Sequence, residues 1–228
     1  LSTAESGGTL DVVGATFPGV PMVMFGHNAE VAWGPTTNIF DVSDAWLETM
    51  DGDDAVVFNG GSVDIEIDDV TINVRLEDGS TEAREETVRW VPHHGPMMPT
   101  DTLPLPLNVS VGWTGYQARS AARAFLELNR MGSYADFESA LSHYYTGGMH
   151  WLYADTSGSI GYSSYTEVPV REVIDPDSPP VILLDGTGGY EWTDEVLPQS
   201  EVPYIESPAG GWLASANNDP VGTTDDND

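Results

Sequence analysis

The sequence contains no cysteine and no lysine, and seven arginines are its only side chains that are always positively charged. Without cysteine there is no disulfide framework, and the redox compartment is not indicated. The seven arginines are set against 37 acidic residues, which gives a formal net charge of −30. Such a surface repels phosphate backbones and anionic lipids, which argues against nucleic acid and membrane-surface partners. Its self-repulsion would be relieved by screening at high ionic strength.

Long apolar runs are also lacking. No run approaches the ~20 residues that a membrane-spanning helix needs, so no membrane span is predicted. The first five residues, LSTAE, are neither a methionine start nor a signal peptide, and the last six, TTDDND, include no closing element. These ends predict that the chain is part of a longer polypeptide.

Several common catalytic signatures are missing from the sequence. It has no Gly-x-Ser-x-Gly elbow, no His-Glu-x-x-His, no P-loop and no Gly-x-Gly-x-x-Gly. His93 and His94 are adjacent, and neighbouring residues of a strand point to opposite faces, so one metal would rarely take both. No third ligand follows at zinc-motif spacing. A zinc site is therefore not predicted.

The pattern of apolar residues predicts an α+β fold. Short β-prone runs fill residues 10–90, and a β-rich segment is predicted over about 51–116. A helical pair is predicted over about 118–145, and Ser133 and Asp136 fit a capping box at the start of the second helix. Strands resume from residue 149, which gives the order strands, helices, strands. The first helix is predicted to bury one stripe, made of Ala118, Ala121, Ala122, Phe125, Leu126 and Asn129.

Polar and glycine landmarks recur in a fixed order along nearly the whole chain. They are Gly19-x-Pro21-x4-Gly26-His27-Asn28-x4-Trp33-Gly34-x-Thr36, Asp41-x-x-Asp44 with Glu48, His94-Gly95-Pro96, Tyr153-Ala154-Asp155-x-x-Gly158-x-Ile160-Gly161-Tyr162, Pro169-x-Arg171, Asp185-Gly186-x-Gly188 with Glu191-Trp192, Pro208-x-x-Gly211, and Ala216-Asn217-Asn218-x-Pro220. In this order and rough spacing they resemble the penicillin amidase (penicillin acylase) family of N-terminal-nucleophile hydrolases.

The resemblance implies a four-layer αββα core with largely antiparallel sheets, and hydrolysis of an amide bond between an acyl group and an amine. It implies a serine nucleophile, exposed as a first residue by autocatalytic cleavage, whose own α-amino group is the base. That serine lies upstream of the Gly-His-Asn motif in the family, and Ser2 stands in the wrong motif. Residues 1–228 are therefore expected to be the central part of a catalytic chain, inactive alone. The expected partners are a small acyl amide substrate and the missing N-terminal and C-terminal parts of the same precursor, and the expected location is periplasmic or secreted.

The resemblance also implies roles for individual residues. Asn217 matches the oxyanion-hole asparagine, and Thr37 matches the position whose backbone N–H supplies a second donor. Phe25, Pro35 and Met149 match positions that line the acyl pocket. The alternatives are a plain turn for Asn217 and ordinary core packing for Phe25 and Met149.

The stretch Gly19–Asn38 has its own predicted role. Its apolar run and glycines are predicted to form a strand and turn at the pocket wall, with backbone close to substrate. His27 and Asn28 are predicted to form a structural turn rather than a catalytic group.

No cofactor is expected for catalysis, but a structural Ca²⁺ is. Asp41, Asp44 and the carbonyls of Ser43 and Pro176 match positions that bind calcium in some family members, and hard oxygen ligands suit this ion. The alternative for these carboxylates is plain solvation. At the level of the whole chain, the alternative is a non-catalytic acidic module that binds calcium or a protein.

Overall fold

The computed structural model describes residues 1–99, 106–116, 121–145, 147–173 and 183–218. The chain divides into two compact units. The first unit takes Leu1–Val42, Gln117–Val168 and Val196–Asp228, and the second takes Ser43–Tyr116 and Pro169–Glu195.

The described part is mostly strand, with one pair of α-helices. The helices are α1 (Ala122–Arg130) and α2 (Tyr134–Leu141). The strands, in chain order, are β1 (Val13–Ala15), β2 (Phe25–His27), β3 (Val31–Thr37), β4 (Ser43–Leu47), β5 (Ala55–Phe58), β6 (Gly61–Asp64), β7 (Glu66–Arg75), β8 (Thr81–Val91), β9 (Gly95–Pro96), β10 (Val109–Trp113), β11 (Met149–Asp155), β12 (Ile160–Ser163), β13 (Pro169–Arg171), β14 (Leu184–Asp185), β15 (Trp192–Val196) and β16 (Tyr204–Glu206).

The first unit is built on a six-stranded sheet. Its strand order is β1-β2-β3-β11-β12-β16, and every pair in it is antiparallel. The longest pairing joins β3 to β11, from Val31 opposite Asp155 to Thr37 opposite Met149. Because side chains alternate between the faces, Trp33 and Tyr153 share one face, while Gly34 and Leu152 share the other.

The two helices cover one face of this sheet and form the main core with it. Trp33, Trp151 and Tyr153 from the strands are buried in one cluster with Leu128 and Phe137 from the helices. At the start of α2, the Ser133 hydroxyl accepts a hydrogen bond from the Asp136 backbone N–H, which is the predicted cap.

The predicted inward stripe of α1 is correct only in part. Of its members that the structure describes, only Ala122 is exposed, but Ala124 and Leu128, which the stripe leaves out, are fully buried. Ala118 lies outside the described residues. Ala121 and Phe125 pack partly against the same core, so the buried positions follow i, i+3, i+4 and i+7 from Ala121. Alanine and leucine occur on both sides of this helix, and for that reason composition alone did not fix its rotation.

Two glycines let β1 and β2 lie unusually close together. A Cβ on Gly26 would stand 2.1 Å from the Val13 carbonyl oxygen, and one on Gly14 would stand 2.2 Å from that of Phe25. Gly14 and Gly26 are directly paired in the sheet. Gly26 is therefore needed for close packing of two strands, whereas the sequence had suggested close approach to a substrate.

Asn28 closes the turn between β2 and β3. Its side-chain oxygen accepts hydrogen bonds from the backbone N–H groups of Glu30 and Val31, each at 2.9 Å. Its amide donates to the Met131 carbonyl just beyond α1, at 2.8 Å. These contacts agree with the structural role predicted for Asn28.

In the second unit, the described residues form small sheets. They are β10-β4-β14, β7-β8-β9, β5-β6 and β13-β15. Strands β7 and β8 form a hairpin of ten residue pairs whose side chains are almost all exposed. A small core under it comprises Val56, Ile65 and Val91.

The architecture confirms the predicted α+β class with largely antiparallel sheets. Both helices fall within residues 118–145, and β5 to β10 fall within the segment predicted to be β-rich. Among the described residues, no helix has both the length and the apolar character needed to cross a membrane.

Candidate functional site

An apolar groove of about 660 Å³ lies along the face of the six-stranded sheet that the helices leave uncovered. Its floor comes from β3 and β11, where Gly34 and Leu152 stand opposite each other. Phe25 and Trp212 form part of its walls and are 48% and 71% exposed. Exposed apolar side chains that adjoin one another in a groove are a candidate ligand-binding surface. The remaining lining residues are Ala32, Trp33, Pro35, Thr36, Tyr153, Ala154, Ile160, Gly211 and Leu213.

Of the three predicted pocket residues, the groove brings together two. Phe25 and Pro35 line it. Met149 does not: it packs against the helix-side core, next to residues such as Trp151. Met149 pairs with Thr37 on the face opposite to Gly34 and Leu152, and unlike Pro35 on that same face it does not line the groove. For Met149 the structure corresponds to the core alternative.

The segment from Gly211 to Asn218 runs from the groove to the end of β3. Leu213 lines the groove, and the Ser215 hydroxyl is hydrogen-bonded to that of Thr36. The backbone of Asn218 in turn contacts the imidazole of His150. Because Thr36 and His150 are themselves paired across β3 and β11, both flanks of Asn217 are held to the same point of the sheet.

Asn217 itself is exposed and has a backbone φ of +59°, in the left-handed region. Asparagine tolerates this conformation better than most residues. Next to it, the side-chain oxygen of Asn218 accepts a hydrogen bond from the Ala216 N–H at 3.1 Å and closes a tight local turn. Asn217 thus lies in a turn, as the alternative proposed, and that turn is anchored beside the groove.

The direction of the Thr37 N–H follows from the hydrogen-bond pattern between β3 and β11. Asn38 donates its N–H to the Gly148 carbonyl at 3.0 Å, which makes Asn38 and Gly148 a hydrogen-bonded pair. Thr37 and Met149, the next pair, are then a non-hydrogen-bonded pair, so the Thr37 N–H points away from β11. On that side β2 pairs only with Ala32 and Trp33, and its pairing has ended before Thr37.

His150 is the buried titratable group at this end of the sheet. It is 1% exposed, and its Nδ1 lies 2.8 Å from the Tyr162 hydroxyl. Burial lowers the pKa of His150, and the contact with the Asn218 backbone opposes this shift. A neutral imidazole is therefore favoured beneath the turn that holds Asn217.

The residues predicted to bind calcium lie in different surroundings. The Asp44 carboxylate, 3% exposed, accepts hydrogen bonds from Arg171 Nε at 2.8 Å and Nη2 at 3.1 Å. It also accepts one from the Trp192 indole. Ser43 begins β4 with an exposed side chain, and Pro176 lies outside the described residues. Calcium binding stays a prediction, and an ion at Asp44 would share that carboxylate with Arg171.

His93 and His94 do not lie in a strand, so the alternation expected to separate their side chains does not apply. They lie in the turn between β8 and β9, and their ring centroids are 4.3 Å apart. His94 is buried between two carboxylates, with Nδ1 at 2.6 Å from Glu48 and Nε2 at 2.8 Å from Glu191. Burial alone would lower the pKa of His94, but the hydrogen bonds with Glu191 and Glu48 raise it overall.

The sequence profile of the family described as penicillin amidase matches residues 2–227. The chain belongs to the penicillin amidase family. It is 28% identical to penicillin G acylase of Escherichia coli, over 94% of this chain and 24% of that protein. It is 27% identical to penicillin acylase 2 proenzyme of Pseudomonas sp. (strain SE83), over 91% of this chain and 26% of that protein. It is 25% identical to acyl-homoserine lactone acylase QuiP of Pseudomonas fluorescens (strain Pf0-1), over 90% of this chain and 24% of that protein.

The structure agrees with this membership. A thermostable penicillin G acylase from Alcaligenes faecalis superposes with a TM-score of 0.79 at 29% identity, covering 94% of this chain and 38% of that one. The fold is thus that of penicillin acylase. The chain spans about a quarter of the length of the curated relatives that it matches.

Parts of the site gave little signal in the sequence. Trp212, Leu152 and Ile160 line the groove although nothing in their local pattern separated them from core residues. The apolar run that begins at Trp212 predicts a strand over residues 212–215, but in the structure these residues form neither strand nor helix.

Proposed function

We propose that this chain supplies the acyl-binding groove and two oxyanion donors of an acylase, an enzyme that hydrolyses the amide bond between an acyl group and an amine. One observation carries the proposal. The turn that contains Asn217 is tied at Ser215 and Asn218 to the pair Thr36 and His150, at the end of an apolar groove.

The groove suits an acyl group. Its lining is mostly apolar, and its volume lies within the range of about 300–1,000 Å³ for small-molecule sites. An aromatic or aliphatic acyl group placed against Phe25 and Trp212 would cover apolar surface that is otherwise exposed. The relatives are named for penicillin G and acyl-homoserine lactones. We propose acyl amides of these types, together with acylated lipopeptides, as the substrate class.

The polar end of the groove would act on the scissile carbonyl. In this proposal the Asn217 amide and the Thr37 N–H donate to the oxyanion that forms when the carbonyl carbon is attacked. Preorganised donors of this kind contribute about 10²–10³ each in rate. The left-handed turn at Asn217 and the outward direction of the Thr37 N–H support this role.

The nucleophile is proposed to come from outside this chain. It would be a serine that becomes N-terminal when a precursor is cleaved, with its α-amino group as the base, since that group has a pKa near ~7.7–8.0. One relative is named a proenzyme, which is consistent with such processing. The 228-residue chain alone is then expected to be inactive. A periplasmic or secreted location and a structural Ca²⁺ complete the proposal.

The test is a direct comparison of two proteins. The 228-residue chain and the protein expressed from the complete gene would be assayed on phenylacetyl, long-chain acyl-homoserine lactone and lipopeptide amides. The proposal expects amine release only by the complete, processed protein. Turnover by the chain alone that survives repurification and disappears in Ser2→Ala would overturn the proposed nucleophile. No turnover by the processed complete protein on any of the three would favour the non-catalytic alternative.

A further inference from the structure

Inside the second unit, four polar side chains form a buried cluster that the proposed acylase chemistry does not use. They are Glu48, His93, His94 and Glu191. Glu48 follows β4, the two histidines form the turn between β8 and β9, and Glu191 precedes β15. The side chains of Glu48 and His94 are fully buried, and that of Glu191 is 16% exposed.

The cluster has unused ligand atoms. Glu48 Oε1 accepts hydrogen bonds from Ser110 and His94, but Glu48 Oε2 is buried without a hydrogen-bond partner. His93 Nε2 and Glu191 Oε1 are also buried without one. A buried carboxylate oxygen and a buried imidazole nitrogen that lack partners are costly to fold, because each loses its hydrogen bonds to water. A cation bound between Glu48 and His93 would satisfy two of these three atoms.

The geometry points to a cation held by Glu48, His93 and His94, and we propose that it is a zinc ion. One ligand atom from each of these residues lies within 4.8 Å of the other two. Zinc–ligand bonds of ~2.0–2.2 Å require any two ligand atoms to be within about 4.4 Å of each other. Small side-chain rotations would therefore bring the three ligand atoms into bonding distance of one ion. Two imidazoles with one carboxylate favour zinc or a neighbouring transition ion over Ca²⁺ and Mg²⁺, which prefer oxygen ligands.

The surroundings of His94 fit a ligating histidine. Zinc would replace the proton through which His94 Nδ1 donates to Glu48, while Nε2–H would keep its hydrogen bond to Glu191, at 2.8 Å in this structure. A carboxylate on the far nitrogen is the usual partner of a metal-bound histidine, and it fixes both tautomer and ring orientation. The ring of Trp46 stacks on His94 at 4.4 Å between centroids, and Phe58 stacks on His93 at 3.8 Å. Because the side chains of Glu48 and His94 are fully buried, the metal would be structural and would fix the turn at residues 92–94 to the end of β4.

The experiment is a titration of the untagged chain with Co²⁺ and Zn²⁺, followed by absorption and by metal analysis. Because the chain carries a net charge of −30, nonspecific binding is controlled with excess Mg²⁺, which competes for surface carboxylates but not for imidazoles. We expect one Co²⁺ per chain, displaced by one Zn²⁺ and unaffected by Mg²⁺. No stoichiometric binding, or binding that Mg²⁺ abolishes, overturns the site.

Variants assign the ligands. His93→Gln should lose the bound Co²⁺, whereas Glu191→Gln should keep one ion with affinity weakened about 10–100-fold. The matched control is His143→Gln, which changes a histidine beside another glutamate, Glu127, and should bind as the wild type does. Retained tight binding in His93→Gln, or equal loss in His143→Gln, contradicts the assignment.

One further variant guards against loss of folding. The chain has no cysteine, so His93→Cys introduces its only thiol. Thiolate is a good zinc and cobalt ligand, so this variant should keep the metal and gain a thiolate-to-Co²⁺ charge-transfer band. A His93→Cys protein that unfolds cooperatively yet lacks that band overturns the proposal.

Discussion

The side-chain amide of Asn129 pairs with both backbone groups of Val23. Its Oδ1 accepts the Val23 N–H at 2.8 Å, and its Nδ2 donates to the Val23 carbonyl at 2.7 Å. Asn129 is 1% exposed, near the end of α1, and Val23 lies just before β2. One asparagine thus supplies the hydrogen bonds that a neighbouring strand would otherwise provide.

The first prediction concerns this pair. Asn129→Leu should lower the free energy of unfolding by about 1–3 kcal/mol for each Val23 group left unsatisfied. Urea unfolding followed by tryptophan fluorescence measures it. The control is Asn73→Leu in the exposed β7, where surface substitutions change stability by about 0.5 kcal/mol or less. Equal effects of the two substitutions would show that the pairing contributes little.

The second prediction concerns the buried ion pair of Asp44 and Arg171. Asp44→Asn removes the carboxylate that accepts two hydrogen bonds from the Arg171 guanidinium, and we expect the free energy of unfolding to fall by about 3–5 kcal/mol. The double variant Asp44→Leu/Arg171→Met should recover much of this loss, because the guanidinium is removed together with the carboxylate. Chemical denaturation of the three proteins measures both effects. A double variant less stable than Asp44→Asn would contradict the explanation.

Calcium at Asp44 is tested on the same variants. Titration calorimetry of the protein from the complete gene should show Ca²⁺ binding that Asp44→Asn abolishes. Arg171→Met should retain it, because the ion no longer shares the carboxylate with a guanidinium. The same heat for the wild type and Asp44→Asn would argue against calcium at this position.

The pH dependence of stability should have a contribution from His150. Its pKa is lower in the folded state than the unfolded value near ~6.5, so below that pH the unfolded chain binds more protons. The stabilising contribution of His150 is therefore fully present above the unfolded pKa of ~6.5. It is lost as the pH falls from that value towards the lower pKa of the folded state. His150→Gln removes it, so the loss of unfolding free energy between pH 7.5 and pH 5.5 should be smaller than in wild type. His27→Gln, which changes an exposed histidine, is the control and should follow the wild type.

The groove floor gives a prediction about substrate size. A Cβ at Gly34 would meet only Phe25 Cβ, at 3.9 Å, so Gly34→Val should fold and place its methyl groups in the groove. In the complete enzyme we expect KM for large acyl groups to rise about tenfold, and KM for acetyl amides to change little. Gly61→Val in β6 is the matched strand control, with its nearest neighbour at 3.7 Å. A KM rise independent of acyl size would count against the groove as the acyl site.

Much of this fold is predictable from the sequence, because local periodicity and turn chemistry act over a few residues. The capping box at Ser133 and the Asn28 turn are examples. What sequence reasoning missed depends on contacts between distant segments. Asp44 meets Arg171 across 127 positions, and no local pattern reveals that pair.

Two further features depend on the backbone. Strand alternation would put the side chains of His93 and His94 on opposite faces, but the two residues lie in a turn and their ring centroids are 4.3 Å apart. The family resemblance predicts Met149 in the pocket, whereas in the structure it packs against the helix-side core. In both cases the residue type suggests a role, but the direction of the side chain can be known only from the backbone geometry.

The most direct test of the proposed function is the kinetics of Asn217→Ala in the processed, complete enzyme, with Asn73→Ala as the control. If the Asn217 amide binds the oxyanion, kcat should fall about 10²–10³-fold, because this hydrogen bond would form only in the transition state. KM should stay within a few fold of wild type, and Asn73→Ala should match wild type in both constants. An unchanged kcat, or a raised KM with kcat intact, would contradict the account.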